Sequence, residues 1–161
     1  MRVGLIDCDS HSFPNLPLMK ISSYHKQLGN TVEFADMGTY YDVLYVSKIF
    51  TESKEPELPD YGVMFWGGSG YDLENRLPEE IEHCYPDYGL YPELTKDTAY
   101  GFLTRGCPRK NHSFCITPEK DGHISRVYSD QTEHTARRFS AWLPPIQCTL
   151  SGHQCMMIIQ G

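Results

Sequence analysis

Within nine residues the chain places Cys107, His112 and Cys115, two thiols and an imidazole, with Pro108, Arg109 and Lys110 between the first two. Soft and borderline donors this close together converge on one ion or cluster if the backbone between them wraps into a loop. Zinc accepts a Cys/His/Cys set in a tetrahedral site, and Cys148, His153 and Cys155, or His83 and Cys84, could supply a fourth ligand. Plain reduced thiols without any metal are the other reading of the same letters. A second set of chemistry-bearing residues lies near the ends of apolar runs: Asp7, Asp9 and His11 after the first, Ser47 after the third, and Gly67-Gly68-Ser69-Gly70 after the fourth. The glycine turn lacks the Lys-Ser/Thr that completes a phosphate-binding loop. Ser10, Ser12, His11 and Asp9 lack the strand–turn–helix context of a hydrolase nucleophile.

The elements that must position these residues read as an alternation of strands and a helix. Arg2–Cys8 is a short apolar run meeting a loop, as a buried parallel strand does. Leu16, Met19, Ile21, Tyr24 and Leu28 recur near helical spacing, with Asn15 to cap the start, Pro17 in the first turn and Gly29 to stop it. Thr31–Ala35, Tyr41–Ser47 and Tyr61–Trp66 read as three further strands, and Thr51–Asp60 as a loop or a frayed helix. This order predicts an α/β fold with a parallel, doubly wound sheet, in which ligands bind outside the carboxyl ends of the strands. Residues 71–97 are rich in Tyr, Pro and acids and read as a linker or irregular connection, with the Tyr85–Tyr91 patch for packing or an interface. Thr98–Gly106 reads as another buried strand running into Cys107. Beyond about Tyr128 no period is sustained, which fits either a loosely structured tail or a truncated or frame-shifted remnant.

Composition bounds the function. The chain has 161 residues, net charge −7, 40 % hydrophobic and 22 % charged residues, as expected for a soluble globular protein. No apolar stretch approaches the ~18–20 residues needed to span a bilayer, and the N-terminus lacks the apolar core of a signal peptide. Acidic balance argues against a general nucleic-acid-binding surface. Charge is uneven, −9 over residues 1–106 and +2 over 107–161, which predicts two differently built segments. Six cysteines without an export signal point to reduced thiols in the cytoplasm.

The stretch TAYGFLTRGCPRKNHSFCI resembles the first barrel strand and cluster loop of the radical SAM enzymes, whose hallmark is C-x3-C-x2-C with an aromatic residue before the last Cys. Cys107 and Cys115 match the outer cysteines and Phe114 the aromatic position. The alternating half before it is similar to the cobalamin-binding-like domain that precedes the barrel in one branch of that family, so the likeness extends over roughly residues 1–128. The resemblance implies an enzyme whose [4Fe–4S] cluster leaves one iron open for S-adenosylmethionine. Reductive cleavage of that molecule gives a hydrogen-abstracting radical. Here the spacing is C-x4-H-x2-C, with His112 as the middle ligand, and imidazole in place of thiolate raises a cluster's potential.

The same likeness implies a cobalamin-type site in the first half. The family pattern there is D-x-H-x-x-G, S-x-L and Gly-Gly, with the His on cobalt and the Asp orienting its ring. Asp9 and His11 match, Pro14 stands in place of the Gly, and Ser47, Gly67 and Gly68 are the counterparts further on. The implied organisation is a flavodoxin-like, cobalamin-binding-like domain with linker at 1–97, the start of a radical SAM (β/α) barrel at 98–128 and an irregular tail at 129–161. Only 46 residues follow Cys115, too few for the several βαβ units of ~30 residues that a barrel requires. A partner chain completing the barrel is therefore one expectation. A non-enzymatic α/β module with a Cys/His zinc site is the alternative.

Overall fold

The computed structural model describes residues 1–9, 12–96, 98–102, 104–106, 121–123, 125–126, 148–151 and 154–160. The chain divides into two compact units, Met1–Pro92 and Glu93–Gly161.

The first unit is an α/β fold. Its strands are β1 (Arg2–Asp7), β2 (Thr31–Phe34), β3 (Tyr41–Ser47) and β4 (Tyr61–Gly67), in spatial order β2-β1-β3-β4. All three pairings are parallel, with Val3 opposite Val32 and Val43, and Tyr45 opposite Phe65. Helix α1 (Leu16–Gln27) makes the crossover from β1 to β2. The connections at 35–40 and 48–60 contain no helix, so the expected double winding is reduced to one crossover helix and two loops.

Helix α1 starts where the residues dictate. Asn15 takes an extended conformation and its side-chain oxygen accepts from the Leu18 N–H at 3.3 Å, while Pro17 occupies the first turn, where a missing N–H is harmless. The core joins Val3 and Leu5 of β1 to Leu18 and Ile21 of α1 and to Ile81, with Tyr24, Val43, Tyr45, Leu77 and Leu90 packed around them. Fully burying each such aliphatic side chain contributes about 1.5–3 kcal/mol.

Residues 71–92 form an irregular connection that folds onto α1. They contain the short helix α2 (Glu79–Glu82) and a 3-10 turn at Tyr88–Leu90. Three buried polar residues of α1 explain the attachment or its neighbourhood. Lys20 donates to the Glu82 carbonyl at 2.7 Å and pairs with its carboxylate at 3.0 Å. Ser22 donates to Asp87 at 2.6 Å, and Asp87 also takes Lys26 at 2.6 Å. His25 lies against the sheet, with Nε2 3.0 Å from the Tyr45 hydroxyl and Nδ1 3.1 Å from the Asn30 amide.

β4 is the outermost strand of this sheet. Val63, Phe65 and Trp66 are each about half exposed, and Tyr45 stacks on Phe65 at 5.3 Å.

In the second unit, α3 (Pro92–Thr95, begun by the last residue of the first unit) leads to β5 (Thr98–Phe102) and β6 (Thr104–Arg105). Strand β7 (Ser125–Arg126) pairs antiparallel with β6. β8 (Cys148–Ser151) and β9 (Gln154–Gln160) form an antiparallel pair, and β9 pairs antiparallel with β5. A barrel's opening strand would be flanked by parallel neighbours. β5 instead has an antiparallel partner, drawn from a stretch that sustains no period and whose apolar run, Met156–Ile159, lies near its end.

Candidate functional site

The carboxyl ends of β1, β3 and β4 are tied to one another by side chains that the sequence places just past each strand. Ser47, the last residue of β3, is buried, and its hydroxyl accepts from the Asn15 amide at 2.8 Å. The Asp9 carboxylate accepts the backbone N–H groups of Ile49 at 3.0 Å and Phe50 at 3.0 Å, so the loop after β1 holds the loop after β3. The loop after β4 is held in turn, because Ser69 donates to the Ile49 carbonyl at 2.8 Å and the Gly70 N–H to the Lys48 carbonyl at 2.9 Å.

Gly68 makes that last approach sterically feasible. Its φ is +98°, and a Cβ built there would lie 2.2 Å from the Lys48 carbonyl oxygen. The glycine serves backbone against backbone. A Cβ on Gly67, by contrast, would meet nothing within 4 Å.

Lys48 projects its buried ammonium onto Glu55 at 2.5 Å and over the Tyr71 ring at 5.0 Å. Tyr71 donates to the other Glu55 oxygen at 2.8 Å. These two donors hold the Glu55 carboxyl below its usual range, while burial and the Glu55 partner push the Tyr71 phenol up. Nearby, burial and then the Asp9 and Asp7 carboxylates push the Cys8 thiol up to about 11. Cys8 is therefore a protonated thiol at neutral pH, the opposite of an activated nucleophile.

On the other side of β1 a cleft of about 320 Å³ opens between the ends of β1 and β2, lined by Leu5, Ile6, Asp7, Phe34, Ala35 and Tyr91. The Tyr91 hydroxyl donates to Asp7, and the rings of Tyr91 and Phe34 meet edge to face at 5.2 Å. Burial, then the Asp7 carboxylate, raises the Tyr91 phenol far above its ordinary range, so it stays protonated.

Of the residues singled out from sequence, Asp9, Ser47, Gly67 and Gly68 lie in this first unit at the strand ends. His11, Cys107, His112, Cys115 and His153 fall outside the described residues. Cys148 and Cys155 sit on β8 and β9. His83 is 3.8 Å from Glu79, and the Cys84 thiol donates to the Glu80 carbonyl at 3.2 Å. Among the described residues no three His, Cys, Asp or Glu side chains are grouped to hold a metal. No described helix is long and apolar enough to cross a membrane.

The described members of the corrinoid set do not form an open cradle. Asp9 grips two backbone amides, Ser47 takes the Asn15 amide, and Gly68 is filled by the Lys48 carbonyl. Sequence reasoning missed Asn15 as the partner of Ser47 and Tyr91 as the partner of Asp7. The second was beyond reach because the two are 84 positions apart.

Strands β6 and β7 flank the cysteine-bearing segment. Thr104 and Arg105 pair with Arg126 and Ser125, so residues on either side of the segment 107–120 are brought together. Gly106, directly before Cys107, has φ +89°, and a Cβ there would lie 2.5 Å from the His123 carbonyl oxygen. A glycine at this positive φ allows a close backbone approach that a Cβ would block.

Comparisons with protein-family models, with curated proteins and with solved structures find no match for the chain.

Proposed function

We propose that the chain is an α/β protein carrying a metal-binding loop at Cys107, His112 and Cys115. More particularly, we propose a radical SAM-related protein working in the reducing cytoplasm, whose loop holds a [4Fe–4S] cluster for S-adenosylmethionine. The observation that carries the reading is the base of that loop. Its flanks are zipped by β6 and β7, and it opens through a left-handed Gly106 packed on the 122–123 backbone. This closure lowers the entropy of bringing three donors together before any metal arrives.

The donor set fits iron coordination. Cys107 and Cys115 would bind as thiolates and His112 through a neutral imidazole, which raises the potential relative to three thiolates. When bound, the cluster supplies the electron that breaks a carbon–sulfur bond of S-adenosylmethionine. The contribution of the chain is to keep the thiols reduced and the loop closed, and to set the potential through His112. The first unit then serves as an architectural α/β domain, with a partner chain supplying the further barrel strands.

The antiparallel pairing of β5 with β9 and of β6 with β7 favours a second reading, a non-enzymatic α/β module in which the same three residues hold zinc. Anaerobic reconstitution with iron and sulfide separates the two. The radical SAM reading expects brown protein with about four irons per chain, bleaching on dithionite, lost in Cys107→Ala and Cys115→Ala, and 5′-deoxyadenosine on addition of S-adenosylmethionine. Colourless protein retaining one zinc per chain overturns it in favour of the second.

A further inference from the structure

The outer edge of the parallel sheet offers a binding surface that neither reading of the cysteine loop uses. Native sheets guard such edges with Lys, Pro or inward-turned charges, because an unpaired row of N–H and C=O groups recruits another strand. Strand β4 carries none of these guards: Tyr61–Gly67 contains no charged residue and no proline. Its side chains are open as well, since the connection at 48–60 contains no helix to cover them and Tyr61, Val63, Phe65 and Trp66 are all exposed. The backbone register shows which groups are on offer. The Lys48 N–H donates to the Gly67 carbonyl at 3.0 Å, so Val63, Phe65 and Gly67 bond inward to β3 while Met64 and Trp66 face away from it. In keeping with this, the Trp66 carbonyl accepts the Asn75 side chain at 2.9 Å.

We infer that β4 takes up an extended, basic segment of a partner protein as a further strand of this four-stranded sheet. Pairing over residues 63–66 supplies the missing ladder, with the Met64 amide at its centre, and alternate apolar residues of the segment lie against Val63 and Phe65. Charge selects the partner. The strand itself is neutral, but exposed Glu57 and Asp60 precede it and exposed Asp72 and Glu74 follow it. Residues 51–76 together carry six acids against Lys54 and Arg76, net −4. Lys or Arg at the ends of an incoming segment meets these carboxylates, whereas a second copy of β4 brings the same negative flanks against its own.

The test uses the full chain and two synthetic peptides, KRTVTVTVRK and its counterpart with Glu in place of every Lys and Arg, followed by calorimetry and by NMR. The basic peptide should bind at least about tenfold more tightly than the acidic one at low salt, and the preference should shrink as salt rises. Amide shifts should be largest at Met64 and its neighbours in β4. The basic peptide N-methylated throughout its Thr-Val core keeps its charge but cannot form the ladder, and it should not bind. Met64→Pro removes an N–H that faces away from β3 and should abolish binding. Val63→Lys, at an exposed position, should weaken binding several-fold with an unchanged melting temperature. Equal affinity for the two peptides, binding of the N-methylated peptide, or no binding of the basic peptide at millimolar concentration would each overturn the inference. So would a dimer of the chain in sedimentation that Val63→Lys breaks, which would put a second copy on this edge in place of the partner.

Discussion

The side-chain amide of Asn15 donates to the Ser47 hydroxyl at 2.8 Å, while the oxygen of the same amide caps α1 through the Leu18 N–H. Both residues are almost fully buried. One side chain thus sets where the helix begins and fixes that start to the carboxyl end of β3. Helix entry angle and strand-end geometry are therefore a single variable in this fold.

Asn15→Ala removes both contacts. Loss of the cap costs about 0.5–2 kcal/mol, and leaving a buried hydroxyl without this partner adds about 1 kcal/mol or more. Urea unfolding should show a lowered midpoint at unchanged slope. Asn15→Asp, which keeps the cap acceptor and loses the donor to Ser47, should fall between Asn15→Ala and the parent chain.

Gly68 and Gly67 are adjacent and should respond oppositely to alanine. At Gly68 the added Cβ meets the Lys48 carbonyl in a left-handed backbone, a strain of about 1–3 kcal/mol before the clash is counted. At Gly67 the Cβ enters open space, and the change should stay within about 0.5 kcal/mol. Paired melting curves of the two variants check this. Equal destabilisation would mean that the loops after β3 and β4 do not touch as described.

His25 makes stability depend on pH. Burial pushes its imidazole below the usual 6.5, and the Asn30 amide donating to Nδ1 assigns the proton to Nε2, which faces Tyr45. The unfolded chain binds the proton more readily, so this contribution is fully present above pH 6.5 and declines as pH falls through the folded value. Urea midpoints between pH 8 and pH 5 should drop, and His25→Gln should flatten that part of the profile.

Cys8 should react slowly. With its thiol raised to about 11 by burial and by Asp9 and Asp7, the thiolate at pH 8 is about one part in a thousand. Alkylation by iodoacetamide, followed by peptide mapping, should be about a hundredfold slower at Cys8 in the native chain than in urea. Equal rates in the two states would refute this placement of the thiol.

The first unit was legible wherever local pattern carries the information. Alternation and apolar runs located β1 to β4 within a residue or so, and Asn15, Pro17 and Gly29 located α1, because caps and strand ends are decided by neighbours in sequence. The attachment of residues 71–92 was not legible. It rests on Lys20, Ser22 and Lys26 meeting Glu82 and Asp87, and charged residues with surface-like spacing do not announce a buried partner. The strand at Gln154–Gln160 shows the same limit from the apolar side, since a short apolar run does not name the strand that will pair with it. At the site, Asp9, Ser47 and Gly68 were selected because residues past parallel strands face whatever occupies that end of a sheet. Here the occupant at those positions is the neighbouring loop. Phe34 and Tyr91 carried no motif, and their meeting depends on chain connectivity rather than on spacing.

Because β4 is the outermost strand of the parallel sheet, its backbone amides face two ways. Those aimed at β3 are locked in the ladder, and those between them point outward. In deuterium oxide the stretch from Tyr61 to Gly67 should therefore exchange in a stripe of alternating fast and slow positions, while Val3 to Leu5 of β1, flanked on both sides, exchange slowly throughout.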